Sequence, residues 1–451
     1  MILDFLPEDA NILRPLGPTE ELVLHLQKQA GFCAAANNIA CHIQLGNAQA
    51  LTREILHQSL KIVIARHPLL RASIAPTSGS KLQRWSQGHY VFVATDETLT
   101  IPIQILEATD WREIMQRSFQ ESWTLDGGPL LRAFLIFEHE NSTCKNIVLW
   151  LSHIVVDGLS LFSLMAELLN TVVELIQNGE VNTIASQPLW RDIWAYAPSK
   201  NIHWGQVLKR LSHYITTPFS PRVFHPPTDP YIAKTAFKTG YLYYRWSKED
   251  SAHIVASAKA YHVSVGALIA AALVLTIAES APQTSNTIGL SSIIDLRRRA
   301  QPSVPFDVMG HYASQVQTYY HVTPDRPLGG LAREVQNKVK RVLHSGIAWD
   351  VGRLIRLIAP VLLLLLQRGP IVFPYSILLS NVGRLQIPSR MGPFEILQYH
   401  GTADFSFGEG YIFLAFSTFN GQMTLDWTYG RVMPELIQMY TDRMLELLLT
   451  A

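Results

Sequence analysis

Lys145-Asn-Ile-Val-Leu-Trp-Leu-Ser-His-Ile-Val-Val-Asp-Gly158 carries an apolar strand directly into a long helix and leaves a histidine at the junction. Lys145 to Leu151 reads as the strand. Beyond Gly158, residues Leu161, Leu164, Met165, Leu168, Val172, Leu175 and Ile176 recur close to the helical period and form one apolar face. They predict a helix over Leu159 to Asn178, closed by Gly179. His153 is therefore held at the end of a rigid element. A neutral imidazole, with an ordinary pKa of about 6.5, can take a proton from an attacking hydroxyl or amine at physiological pH. Asp157 follows four residues on, and Gly158 permits a sharp turn into the helix. On spacing alone, a histidine with an aspartate four residues away is more often a packed, hydrogen-bonded pair than a catalytic one.

Upstream, Ile39 to Leu45 has strand character, and Ala48 to Arg66 has a helical period ended by Pro68. Further strands are expected at Val91 to Ala94, Ile101 to Leu106 and Leu130 to Phe137, with a helix over Asp110 to Ser122 capped by Asp110. From about Glu180 to Ile232 the chain turns rich in Pro, Trp and His and loses its periodicity, which marks a crossover. A strand at Thr239 to Trp246 then restarts the pattern. Ser247 opens a helix in a capping-box arrangement, and a second helix, Ser264 to Glu279, is apolar all round. Strands at Thr287 to Ile294, Ser314 to Tyr320, Ser376 to Asn381, Tyr411 to Thr418 and Met423 to Tyr429 lead to a closing helix, Pro434 to Leu449. Both halves mix strands with helices. The expected fold class is α/β, an α+β two-layer unit used twice and divided as 1–180, a crossover at 181–232, and 233–451.

The 451 residues suit two units that each bury a full core. Apolar residues make up 48% and charged residues 16%, an ordered globular composition, and the net charge of +1 gives no global field to hold nucleic acid or an anionic membrane. Cys33, Cys41 and Cys144 are an odd set without a C-x-x-C pair, so neither a disulfide framework nor a cysteine zinc site is expected, and a cytoplasmic location fits. Met1 to Asp9 lacks the pattern of a secretion signal. The longest apolar run, Leu357 to Leu366, falls short of the ~20 residues of a membrane span, so no transmembrane segment is expected there and a buried helix or channel wall is.

Several other chemistries lack their parts. Ser152 adjoins His153, but neighbours on a strand point to opposite faces, and no G-x-S-x-G elbow occurs. No third ligand stands near His153 and Asp157 at metal spacing, and there is neither a P-loop nor a G-x-G-x-x-G after a strand. Arg297-Arg298-Arg299 suits a phosphate as well as it suits a solvated surface. Trp190, Trp194 and Trp204 read as packing residues, with an acceptor entrance as the alternative.

His153-Ile-Val-Val-Asp157-Gly158 matches an H-x-x-x-D-G motif, and the chain resembles the chloramphenicol-acetyltransferase-like superfamily. That superfamily contains the condensation domains of nonribosomal peptide synthesis, BAHD acyltransferases, wax-ester synthases and stand-alone polyketide-associated acyltransferases. The likeness continues in order through Arg14-Pro-Leu-Gly-Pro-Thr-Glu20, Arg66-His-Pro-Leu-Leu-Arg71, Asp126-Gly-Gly-Pro-Leu-Leu-Arg132, Asp295-Leu-Arg297 and Ser380-Asn-Val-Gly383. In its opening segment, and as a lone chain, it most resembles the polyketide-associated acyltransferases.

The resemblance implies two subdomains forming a pseudo-dimer with a tunnel between them, the donor entering at one end and the acceptor at the other. It implies an acyltransferase of natural-product biosynthesis that moves an acyl group from a coenzyme A or phosphopantetheinyl carrier-protein thioester to an acceptor. His153 would be the general base, and no acyl-enzyme would form. Asp157 is implied to point away from the substrate and pair with Arg297, shaping the loop, with Gly158 next to it and a backbone amide near Gly158 at the oxyanion. Ser152, Ser380, Asn381 and Gly383 are candidate tunnel residues. An apolar alcohol is the expected acceptor, no metal or bound cofactor is implied, and a monomer could hold a complete site.

Two departures stand out. Ser152 occupies the place of the first histidine in the H-H-x-x-x-D-G of condensation domains, which disfavours peptide-bond formation. Asp404-Phe-Ser-Phe-Gly408 resembles the BAHD D-F-G-W-G segment only locally and reads better as a turn. An amide-forming condensation enzyme and a non-catalytic relative that binds carrier proteins remain the alternatives.

Overall fold

The computed structural model describes residues 12–28, 38–77, 90–95, 102–121, 130–139, 143–181, 185–198, 223–232, 238–281, 287–323, 325–346, 348–350, 375–404 and 411–451. The apolar run Leu357 to Leu366, Trp204, Cys33, residues 126–129 and residues 405–408 lie outside the described residues.

In chain order the first half contributes β1 (Ile12–Pro15), α1 (Pro18–Lys28), β2 (Asn38–Gly46), α2 (Arg53–Arg66), β3 (Ala72–Pro76), β4 (Tyr90–Ala94), β5 (Ile103–Glu107), α3 (Trp111–Ser118), β6 (Leu131–Phe137), β7 (Cys144–Ser152) and α4 (Gly158–Asn178). Strand alternation decides which side each residue serves. Ile39, Cys41, Ile43 and Leu45 of β2 enter the core shared with α2 and α4, whereas Ala40 meets Ile114 and Met115 of α3 on the opposite face. The helix predicted from Ala48 starts only at Arg53, where Thr52 accepts the Ile55 N–H as N-cap. Asp110 caps α3 as expected, by accepting the Arg112 N–H.

The second half supplies β8 (Gly240–Arg245), α5 (Lys248–Ala260), α6 (Val265–Glu279), β9 (Thr287–Asp295), β10 (Ala313–His321), α7 (Leu328–His344), β11 (Ile377–Arg384), β12 (Arg390–Met391), β13 (Phe394–Ala403), β14 (Ile412–Phe419), β15 (Gln422–Tyr429) and α8 (Pro434–Leu449). Every residue of α6 from Ala267 to Ala278 is buried, which explains a helix apolar on all sides. Ser247 accepts the Asp250 N–H at the start of α5.

Two six-stranded sheets result, ordered β12-β13-β2-β7-β6-β5 and β10-β9-β11-β14-β15-β8, with a small sheet β1-β4-β3. A division of the chain at the crossover leaves β12 and β13 in the second half, but hydrogen bonding puts them in the first sheet. There β13 runs antiparallel to β2, with His400 opposite His42. The physical reason is edge protection: without β13, β2 would present an unpaired edge, and Phe394, Ile396, Tyr399 and Ala403 instead extend the first core. The second half thus lends β12 and β13 to the first sheet.

Among the described residues, Gly158–Asn178 is the one single helix long and apolar enough to cross a membrane. Its apolar face packs in the first core, where Leu161, Leu164, Met165, Leu168 and Val172 are buried and each contributes roughly 1.5–3 kcal/mol. Asp157 caps its N-terminus, and Gly179, at φ 73°, ends it in the left-handed conformation that glycine adopts without a steric penalty.

Candidate active site

β7 stops at Ser152, and His153 begins the turn that leads into α4. The turn is closed by the Val155 N–H donating to the Ser152 carbonyl at 3.2 Å. His153 is 9% exposed, and its Nδ1–H donates to the Val156 carbonyl at 2.7 Å. A carbonyl oxygen can only accept, so this bond places the proton on Nδ1 and the lone pair on Nε2. Burial, with the neighbouring His311 ring as a further cause, pushes the His153 pKa down to about 4. The imidazole is neutral at any physiological pH, as a general base must be.

Asp157 faces elsewhere. Its Oδ1 accepts the Ser160 N–H at 2.9 Å and Arg297 Nη2 at 3.0 Å, while its Oδ2 accepts Arg297 Nη1 at 2.9 Å and the Tyr312 N–H at 2.8 Å. Arg297 continues to Asp295 Oδ1 at 2.9 Å and to Ser160 Oγ at 2.6 Å, and its guanidinium lies 4.7 Å from the centre of the Tyr312 ring. Burial by itself would raise the Asp157 pKa, but the Arg297 charge and the hydrogen bonds from Arg297 and Ser160 hold it down to about 2. This buried fork joins the start of α4 to the second half of the chain.

The sign of each shift fixes how acid acts on the fold. His153 stays neutral in the folded protein below its unfolded pKa of about 6.5, so the stability tied to it is complete above that pH and is lost as pH falls towards 4. Asp157 contributes stability above about 3.9 that is lost as pH falls towards 2. Thermal melts from pH 8 to 4 should therefore show a decline beginning near pH 6.5, and replacing His153 by glutamine should reduce its steepness.

The other expected site residues divide. Ser152 is fully buried, and its Oγ accepts from Gln27 Nε2 at 3.3 Å. It therefore packs the base of the turn, at an internal position at a strand end. Gly158 has no positive φ, so the sharp turn does not need glycine's freedom; a Cβ there would instead meet nothing within 4 Å. Asn381 accepts the Gly383 N–H at 2.9 Å where β11 bulges, and Gly383 has φ 85°; Ser380 and Gly383 are half-buried and Asn381 is exposed. Arg298 and Arg299 are exposed. Trp194 packs, with its Nε1–H donating to Thr19 Oγ1 at 3.0 Å.

Two of the matched motifs outside the histidine loop hold the scaffold together. Arg14 and Glu20 form a buried two-pronged pair at 2.7 and 2.8 Å. Arg66 and His67 both reach Glu167 on α4, at 2.9 and 2.8 Å. Sequence reasoning missed Ser160, His311 and Tyr312. All three are recognisable only once the 308–312 segment lies against Asp157. Among the described residues, no cluster of three His, Cys, Asp or Glu side chains could hold a metal ion.

The two six-stranded sheets and the helices packed on them share their fold with solved structures of a polyketide synthase associated protein, a condensation domain and an O-acetyltransferase. More narrowly, residues 236–428 match the family described as the phthiocerol/phthiodiolone dimycocerosyl transferase C-terminus. Polyketide synthase associated protein 5 from Mycobacterium tuberculosis superposes with a TM-score of 0.70 at 16% identity, covering 98% of both chains. TRI3 trichothecene 15-O-acetyltransferase from Fusarium sporotrichioides gives a TM-score of 0.74 at 14% identity, covering 97% of this chain and 95% of that one. The condensation domain from Monacolin K polyketide synthase MokA gives 0.71 at 15% identity, covering 98% of each. A comparison with curated protein sequences gave no match.

Proposed function

We propose that the protein is an acyltransferase that moves an acyl group from a coenzyme A or carrier-protein thioester to an alcohol. The observation that carries this reading is a buried, neutral imidazole whose Nδ1–H is committed to Val156 and whose nearest aspartate is committed to Arg297. A hydrolase triad would instead have the carboxylate on the histidine. In the proposed reaction the lone pair on His153 Nε2 takes the acceptor hydroxyl proton as its oxygen attacks the thioester carbonyl. The C–O bond forms, the tetrahedral intermediate collapses, the C–S bond breaks, and the proton passes to the departing thiolate. Direct transfer needs both substrates in one passage between the halves, with Ser380, Asn381 and Gly383 as proposed wall residues.

An amine acceptor is the second reading, favoured by the fold shared with condensation domains and opposed by Ser152 in place of a first histidine. A panel of acyl-coenzyme A and acyl-carrier thioesters with matched alcohols and amines, read by mass spectrometry, separates them. Ester products support the proposal; amides alone support the second reading; no transfer from any thioester overturns both.

Two quantitative expectations follow from the site. The acid limb of kcat/KM should lie near pH 4, where His153 titrates, and not near 6.5. A profile measured from pH 5 to 8 is then flat on its acid side, and a midpoint near 6.5 would show that burial does not depress the His153 pKa. Gly158→Ala should fold with stability unchanged or raised by about 0.4–1 kcal/mol, because the methyl meets nothing and the φ is accessible to alanine. Gly158→Leu should fold too but lose kcat/KM, since the open space beside the motif is proposed to hold substrate.

A further inference from the structure

His311 stands beside the motif histidine, although nothing in the linear sequence connects them. It belongs to the segment between Val308 and Tyr312 that precedes β10, over 150 residues from His153. Its Nδ1 lies 3.2 Å from the His153 carbonyl, and the two ring centroids are 4.9 Å apart. Because a carbonyl only accepts, His311 Nδ1–H is the donor. The half-exposed His311 ring thus holds the backbone of His153 while the Val156 carbonyl holds its ring.

The 308–312 segment has no freedom to place His311 elsewhere. The Asp157 N–H donates to the Gly310 carbonyl at 3.1 Å, the Tyr312 N–H donates to Asp157 Oδ2 at 2.8 Å, and Ser160 Oγ donates to the Gly310 carbonyl at 3.1 Å. Residues on both sides of His311 are therefore bonded to the start of α4. Arg297 fixes Asp157 and Ser160 in turn and stacks on Tyr312. The geometry points to His311 as a positioning residue for the base: the Asp157–Arg297 fork delivers it from the second half of the chain, and it sets both the location and the charge state of His153.

This inference rests on the reading of His153 as the base, and it gives the Asp157–Arg297 pair a task beyond shaping the loop. Among the described residues, the ionisable groups acting on His153 include His311, from the segment before β10, and Asp157, at the cap of α4. Asp157 favours a proton on His153 and is largely neutralised by Arg297; the His311 ring, centred 4.9 Å away, opposes one. His311 consequently works with burial to keep the base free of a proton. The donor role and the charge role are separable by substitution. Asparagine can put an amide N–H where Nδ1–H stood but carries no imidazole ring, whereas leucine removes both.

The deciding measurement is a proton titration of His153 by NMR of histidine-labelled full-length protein, the signal assigned with His153→Gln, in the parent and in His311→Asn and His311→Leu. It needs no turnover, so it decides the inference even if no thioester proves to be a substrate. The His153 midpoint is expected to rise in both variants, and a midpoint unchanged in either folded variant overturns the charge role. Where turnover is measurable, His311→Leu is expected to lose about 10²-fold in kcat with KM nearly kept, the size of effect that a misplaced catalytic group produces, and His311→Asn to recover most of it. Equal losses in the two variants, or a loss confined to KM, overturn the positioning role.

Discussion

His153→Ala lowers kcat for thioester-dependent transfer by about 10²–10⁴-fold, the contribution of a positioned general base, while the protein remains folded. The size follows from the tautomer: only one ring nitrogen carries a lone pair, and the other is spent on the Val156 carbonyl. Because no acyl-enzyme is proposed, the variant should also show no burst of thiol release. His153→Asn keeps a side-chain donor for the Val156 carbonyl but offers no basic nitrogen, and is expected to be as inactive as alanine. Stopped-flow detection of free thiol with matched melting curves checks both parts. Activity retained within a few-fold in His153→Ala would remove His153 as the base, whereas no turnover by the parent on any thioester would favour a non-catalytic relative that binds carrier proteins.

Arg297→Ala is expected to be the most destabilising single change near the site, by about 3–5 kcal/mol, because it abandons a carboxylate that is itself almost fully buried. Denaturant unfolding of parent and variant measures it. Part of the loss returns on acidification, since Asp157 without its partner can be protonated where the parent's remains ionised down to about 2. Arg297→Lys restores a charge without the planar fork that spans both Asp157 oxygens, so it should rescue only a fraction. Asp157→Asn with Arg297→Met should cost less than the sum of the singles, because neither leaves the other's charge stranded. Simple additivity would show that the fork couples nothing.

Most elements were legible in the chain itself. The apolar face of α4, the all-buried α6, the closing helix Pro434–Leu449 and the strand that precedes the motif came from periodicity that local packing then honours. β13 was not legible: Phe394–Ala403 carries a bulge and places Gln398, His400 and Thr402 among its apolar residues, so its alternation is broken. Its destination was less legible still, since pairing with β2 depends on an edge that exists only in three dimensions. The Asp157–Arg297 pair was expected from resemblance to a family, not from spacing, and the fork is present.

By itself, then, the amino-acid sequence determined most of the helices and strands and the place of His153 at the junction of β7 and α4, because these depend on neighbours a few residues apart. Only the tertiary structure decided that Ser152 is sealed, that Gly158 borders open space and that β12 and β13 join the first sheet. It also decided that His311 stands against His153. Such facts arise where segments hundreds of positions apart compete for the same buried hydrogen-bond partners and the same edge, and no local pattern records the outcome of that competition.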